Sequence, residues 1–176
     1  MTENVWIASA DGKLRVGART FSATLGRGGV IDAADKREGD GASPIGTWRL
    51  KRVFYRADRL DRPVTELPVT PLKPSDGWCD AAGHPLYNRP VTLPFTASHE
   101  KLWREDHAYD VIVELAHNDD PVVPGLGSAI FLHVKHDDGR PTAGCVALAV
   151  EDMLEVLRDA SSTNAVKIVK SDVTEA

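Results

Sequence analysis

Long apolar runs are missing from this chain of 176 residues. No segment approaches the ~18 uninterrupted apolar residues that cross a bilayer, so membrane insertion is not expected. The N-terminus also lacks the basic region and the apolar stretch of roughly 7–15 residues that mark a secretory signal. Glu3 is acidic, and the apolar run Val5–Ala8 is broken by Ser9 and Asp11. For a chain that starts at its native Met1, these features lead to the expectation of a cytoplasmic protein. Basic blocks are missing too. Lys and Arg number 21 against 26 Asp and Glu, for a net charge of −5 and a pI near 5.7. That balance argues against nucleic acid or an anionic membrane surface as the main partner. Cysteine is scarce, with only Cys79 and Cys145, and free thiols are the default in a reducing compartment. There is no Gly-x-Ser-x-Gly pattern to carry a serine nucleophile. The glycine turn Gly26-Arg27-Gly28-Gly29 lacks the Lys-Ser/Thr pair of a phosphate loop and reads as an ordinary turn.

What is present describes an ordinary globular chain. Hydrophobic residues make up 42% and charged residues 27%, enough to bury a core in one domain over 1–176, with its core at about 5–170. Val5–Ala8 and Leu14–Val16 read as a hairpin, because Asp11-Gly12 supplies the positive φ of a tight turn. Arg19–Leu25, Thr47–Phe54, Tyr109–Ala116, Ser128–Val134, Cys145–Leu148 and Ala165–Val169 read as further strands. Ser98–Trp103 suggests a short helical turn. Val150–Ala160 spaces Met153, Leu154 and Leu157 at a helical period behind acidic first-turn residues. Asp32–Gly46 reads as a charged loop, and Tyr55–Phe95 as a long proline-rich one, of the kind that walls a cleft. Ser171–Ala176 reads as a polar tail. The fold class is mostly β with α decoration and one main C-terminal helix.

The chemistry gathers between Gly127 and Leu148. An apolar strand ends on His133, and twelve residues later Cys145 follows Gly144. A thiol with an ordinary pKa near 8.5 needs a base or a cation beside it to act as a nucleophile at neutral pH. His133 can be that base, and N–H groups around Gly144 can cradle an oxyanion. Spacing alone leaves a second reading open, a buried thiol and a satisfied core histidine. A zinc reading of His133, His136 and Cys145 with Asp137 or Asp138 is disfavoured, because two histidines three apart at a strand exit do not converge without a turn. Cys79 reads as a packed thiol.

Two stretches add a resemblance. Ile130-Phe131-Leu132-His133, followed by Thr142-Ala143-Gly144-Cys145-Val146, resembles the catalytic signature of the L,D-transpeptidase (YkuD-type) family. Ser43-Pro44-Ile45-Gly46-Thr47-Trp48 resembles that family's Thr-Pro-x-Gly-x-Phe segment. The resemblance runs over approximately Thr20–Val169. It implies a β-sandwich-like catalytic domain and a cysteine acyl-enzyme acting on peptidoglycan stem peptides or muropeptides, with no cofactor and no metal. By that resemblance Cys145 is the nucleophile, His133 its base, Gly144 part of the oxyanion site, and the carbonyl of Val134 the group that orients the imidazole. The sequence departs from the pattern at three places: Val134 stands where the family has Gly, Ala143 where it has a basic residue, and Ala147 where it has Arg. Arg140 and Arg27 are therefore candidates for holding the substrate carboxylate. Tyr87, His117, Asn118 and Thr142 are candidate cleft residues. Without an export signal, the expected outcome is hydrolysis, an L,D-carboxypeptidase that trims tetrapeptides to tripeptides in wall recycling. The alternatives are a transpeptidase that cross-links stems or exchanges terminal D-amino acids, and an inactive protein that only binds wall peptides. The sequence leaves oligomeric state open.

Overall fold

The computed structural model describes residues 4–172; Met1–Glu3 and most of the tail expected at Ser171–Ala176 lie outside them. Thirteen strands and one helix follow in the order β1 (Val5–Ser9), β2 (Lys13–Val16), β3 (Arg19–Thr24), β4 (Val30–Asp32), β5 (Ser43–Tyr55), β6 (Val69–Pro71), β7 (Asp76–Cys79), β8 (Pro90–Thr92), β9 (His99–Lys101), β10 (Val111–Leu115), β11 (Phe131–Val134), β12 (Val146–Leu148), α1 (Val150–Leu157) and β13 (Ala165–Val169). The mostly β class and the single main helix expected from sequence are what the chain adopts. β1 and β2 form the expected hairpin, and Gly12 sits at its turn with φ +91°, a conformation that costs a residue with a Cβ.

The large sheet closes on itself. Its order is β10-β11-β12-β3-β2-β1-β13-β5, and β5 pairs again with β10. β5 makes this possible by being long. Its first part, Gly46–Arg49, pairs with β13, and Leu50–Tyr55 pairs with β10. Inside lies a cluster that includes Trp6, Leu14, Leu50, Val113, Leu132, Val146, Leu148 and Ile168, all at most 1% exposed. α1 adds Met153, Val156 and Leu157 to the same cluster, so burial of its apolar stripe rather than an N-cap side chain holds it.

A second, three-stranded sheet, β8-β7-β9, is built mostly from the proline-rich region. Two expectations are corrected here. Tyr55–Phe95 is not one loop, since it carries β6, β7 and β8. Ser98–Trp103 is not helical, since His99–Lys101 pairs antiparallel with β7 through His99↔Cys79 and Glu100↔Trp78. Local propensity loses there to a partner about twenty residues upstream. The Asp32–Gly46 region is likewise not all loop, since its end is the start of β5, which pairs in parallel with β4 just before it. Trp78 of the small sheet lies edge-on to Phe131 of β11 at 5.1 Å. That contact places the small sheet over the outer face of the barrel wall.

Candidate active site

β11 and β12 run in parallel, with Leu132 opposite Val146 and His133 opposite Ala147. Strand alternation sends Leu132, Val134, Val146 and Leu148 into the barrel. Phe131 and Cys145 belong to the outer cluster under the small sheet, and by the same alternation His133 shares their face. His133 and Cys145 meet in one narrow pocket of about 170 Å³, lined also by Arg27, Glu38, Glu100, Arg104, Tyr109, Ser128, Ala129 and His136.

Both partners are almost wholly buried. His133 Nδ1 donates to its neighbour's carbonyl, Val134 O, at 2.8 Å, which leaves Nε2 as the basic nitrogen. Burial pulls the imidazole down to about 4, partly opposed by that bond. Burial, reinforced by the charge of Glu100, pushes the Cys145 thiol up to about 12. The resting pair is neutral thiol and neutral imidazole. The thiol donates to the carbonyl of Ala129 at 3.1 Å, and the Phe131 N–H approaches Sγ at 3.4 Å. Sγ is thus engaged by the backbone of the 129–131 segment.

The segment that presents Ala129 is held from many sides. Ala129 has φ +54°, unusual for a side chain with a Cβ. Asn88 Oδ1 accepts from the Ala129 N–H at 3.0 Å and from Trp78 Nε1 at 3.0 Å. Asn88 Nδ2 donates to the carbonyls of His117 and Asn118. The Gly127 N–H donates to Tyr87 Oη at 3.0 Å, Tyr87 donates to Glu38 at 2.9 Å, and Ser128 bonds the same carboxylate. Asn118 Nδ2 donates to the carbonyls of Gly127 and Val123. Tyr87 and Asn118 thus shape the wall of the pocket from behind and do not line it. His117 does not line it either; it is buried edge-on to Trp48 at 4.7 Å, and its Nδ1 has no hydrogen-bond partner among the described residues.

The turn before the cysteine is fixed by Thr142. Its hydroxyl donates to Cys145 O at 2.7 Å and accepts from the Gly144 N–H at 3.1 Å. The Gly144 N–H is therefore engaged, and the Cys145 N–H is the donor this turn offers an oxyanion. Gly144 has a conformational duty instead. Its φ is +135°, and a Cβ there would meet Ala42 O at 2.9 Å. Backbone bonds from Arg27 N to Thr142 O and from Thr142 N to Leu25 O pin the same loop to the end of β3. They carry Arg27 to the pocket, where among the described residues it has no acidic partner. Arg140 stays outside, exposed and paired to Asp138 at 3.0 Å.

Glu100, Arg104 and Tyr109 gave no functional signal in the sequence, and His136 entered only through the disfavoured zinc reading. Arg104 enters on a loop whose backbone carbonyls accept from Arg56 and Arg59. Its guanidinium pairs with Asp106 and lies 5.2 Å from the centre of the Tyr109 ring. Tyr109 stands edge-on to His133 at 5.4 Å and donates to Glu100 at 2.7 Å. His136 lies edge-on to His133 at 5.9 Å, so the turn at the strand exit does bring the two histidines together.

A thiol and a backbone-oriented imidazole that line one pocket are the groups that cysteine acyl transfer uses. A family model described as the L,D-transpeptidase catalytic domain, YkuD, matches residues 2–168. The chain belongs to this family. No curated protein matches it. Solved structures that resemble it include L,D-transpeptidase 1 of Mycobacterium tuberculosis, at 14% identity and a TM-score of 0.45, covering 94% of this chain and 60% of that one. An L,D-transpeptidase from Mycobacterium smegmatis matches at 12% identity and 0.44, over 95% and 58%. L,D-transpeptidase 3 of M. tuberculosis matches at 12% and 0.45, over 94% and 60%. This YkuD-family chain thus spans about 60% of the length of those proteins.

Proposed function

We propose that this YkuD-family domain is an L,D-carboxypeptidase that cleaves the bond before the terminal D-alanine of peptidoglycan stem peptides through a Cys145 thioester. The observation that carries the reading is the buried Cys145–His133 pair in one narrow pocket, with His133 Nδ1 tied to Val134 O. His133 Nε2 takes the thiol proton as Sγ attacks the carbonyl carbon of the L-centre. The Cys145 N–H donates to the oxyanion. On collapse the C–N bond breaks, His133 returns the proton to the departing D-alanine nitrogen, and the thioester remains. Water then attacks with its proton passing to His133, and the sulfur leaves and is reprotonated. Arg27, which lines the pocket and has no acidic partner among the described residues, holds the D-alanine carboxylate in this reading.

Hydrolysis is the outcome proposed for the thioester, and the pocket of about 170 Å³ is of a size for one peptide end. A cytoplasmic site of action, on recycled muropeptides, is part of the proposal; the buried, unbridged Cys79 fits a reducing compartment. One observation supports transpeptidation as the second reading. An open groove along Glu100, Lys101, Trp103, Arg104 and Asp106 shares two residues with the pocket and offers an acceptor stem a path. Incubating the protein with a tetrapeptide muropeptide in heavy-oxygen water, with and without an amine acceptor, separates the two. Labelled tripeptide supports hydrolysis; cross-linked dimer alone overturns it.

A further inference from the structure

The small sheet presents two carboxylates to the nucleophile's side of the molecule. In the β7–β9 pairing Trp78 lies opposite Glu100, and the Asp80 N–H continues the ladder to Ser98 O. Strand alternation puts Trp78, Asp80, Ser98 and Glu100 on one face, the face whose Trp78 packs on Phe131 beside Cys145. Glu100 lines the pocket with Cys145 and His133. One of its oxygens accepts from Tyr109; the other has no hydrogen-bond donor among the described residues. Asp80 Oδ1 is buried with no hydrogen-bond partner among the described residues. The nearest pocket cation, Arg104, is already paired with Asp106. A buried carboxylate oxygen left without a donor is costly, and a cationic ligand would remove that cost.

We infer that Glu100, backed by Asp80, is the subsite that grips the free side-chain ammonium of a diamino residue in the stem peptide, and so sets which stems the enzyme accepts. This rests on the stem-peptide reading above and deepens it. An ammonium donates three hydrogen bonds; the open oxygen of Glu100 lines the pocket to accept one, and the charge of Asp80 stands behind it on the neighbouring strand. Arg27 lines the same pocket, so a zwitterionic peptide end finds a complementary charge there for each of its own.

The test compares two tetrapeptides, one with the side-chain amine of residue three free and one with it acetylated. Wild type is expected to prefer the free amine by roughly tenfold to a hundredfold in kcat/KM, the range of a charge-assisted pair. Glu100→Gln keeps an acceptor for Tyr109 and is expected to collapse that ratio toward one, with Asp80→Asn reducing it in part. Calorimetric titration of Cys145→Ala with both peptides reads the same preference without turnover. Equal handling of the two peptides by wild type, or a ratio unchanged in Glu100→Gln, overturns the subsite and leaves the hydrolase reading standing. Selective binding of the free-amine peptide by Cys145→Ala while wild type releases no D-alanine supports the subsite and removes the hydrolase.

Discussion

The two faces of the barrel wall at β11 and β12 are held by different forces. Inward, Leu132, Val134, Val146 and Leu148 join a continuous apolar cluster, and their stability comes from area removed from water and close packing. Outward, the same two strands carry His133 and, one residue before β12, Cys145, under a cap made of hydrogen bonds and edge-on aromatic rings. The inner face has no chemistry to perform and can be filled by shape. The outer face must keep a thiol and an imidazole dry, neutral and oriented, and it does so with backbone carbonyls and Asn88. Substitutions inside should therefore move stability, and substitutions outside should move turnover.

The sharpest break between the faces is at the nucleophile. Cys145→Ala should lower D-alanine release by about 10⁴-fold or more, and His133→Gln by about 10²–10⁴-fold, each with a thermal midpoint near wild type. Liberated D-alanine, followed with a coupled oxidase, checks the first part and calorimetry the second. One position inward the pattern should invert. Leu132→Ala should cost about 2–5 kcal/mol in urea unfolding, while the folded fraction keeps its turnover.

Acid should act on the buried histidines next. Burial pulls both His133 and His117 to about 4 in the folded chain, against 6.5 in the unfolded one. Between those values the unfolded chain binds protons that the folded chain refuses, so stability falls as pH drops from about 6.5 to about 4 and is fully present above. The loss should reach up to about 3 kcal/mol per histidine, and a variant replacing His117 with Gln should show a shallower slope. A flat urea midpoint across that window would remove this account of the two imidazoles.

Asn88 lies between the faces in effect. Asn88→Ala strands the N–H groups of Ala129 and Trp78 and should cost about 1–3 kcal/mol, with a fall in kcat beyond what the lost folded fraction explains. The smallest contrast is between two arginines. Arg27→Ala should raise KM about tenfold, whereas Arg140→Ala, outside the pocket and paired to Asp138, should leave it unchanged. Steady-state kinetics on a tetrapeptide decides between them, and a reversed order would move the carboxylate subsite.

The inner face was legible in the sequence because its forces are local and periodic. Val111–Leu115, Phe131–Val134 and α1 announce themselves by apolar pattern, and the β1–β2 hairpin by Asp11-Gly12. Cys145 and His133 were legible as a candidate pair that the fold brings into one pocket, and the bond from His133 to the Val134 carbonyl followed from resemblance. The outer face was legible only in part, because it is assembled from segments far apart in the chain. Nothing near Glu100 says that it pairs with Trp78, and nothing near Arg104 says that Arg56 and Arg59 hold its loop. Tyr87, His117 and Asn118 have polar side chains beside turns, which looks like a cleft in sequence; in space they buttress the segment 127–129 or fill its back. Thr142 has the same kind of duty, spent on the turn that sets Cys145.

The central claim is that Cys145 is a working nucleophile in this pocket, and intact mass after exposure to imipenem tests it most directly. The strained β-lactam carbonyl needs only a thiol that can attack and a base that can take its proton. The account predicts a single covalent increment on the wild-type chain, located on Cys145 by peptide mapping and absent in Cys145→Ala. No increment on the wild type, or an equal one on Cys145→Ala, would contradict it.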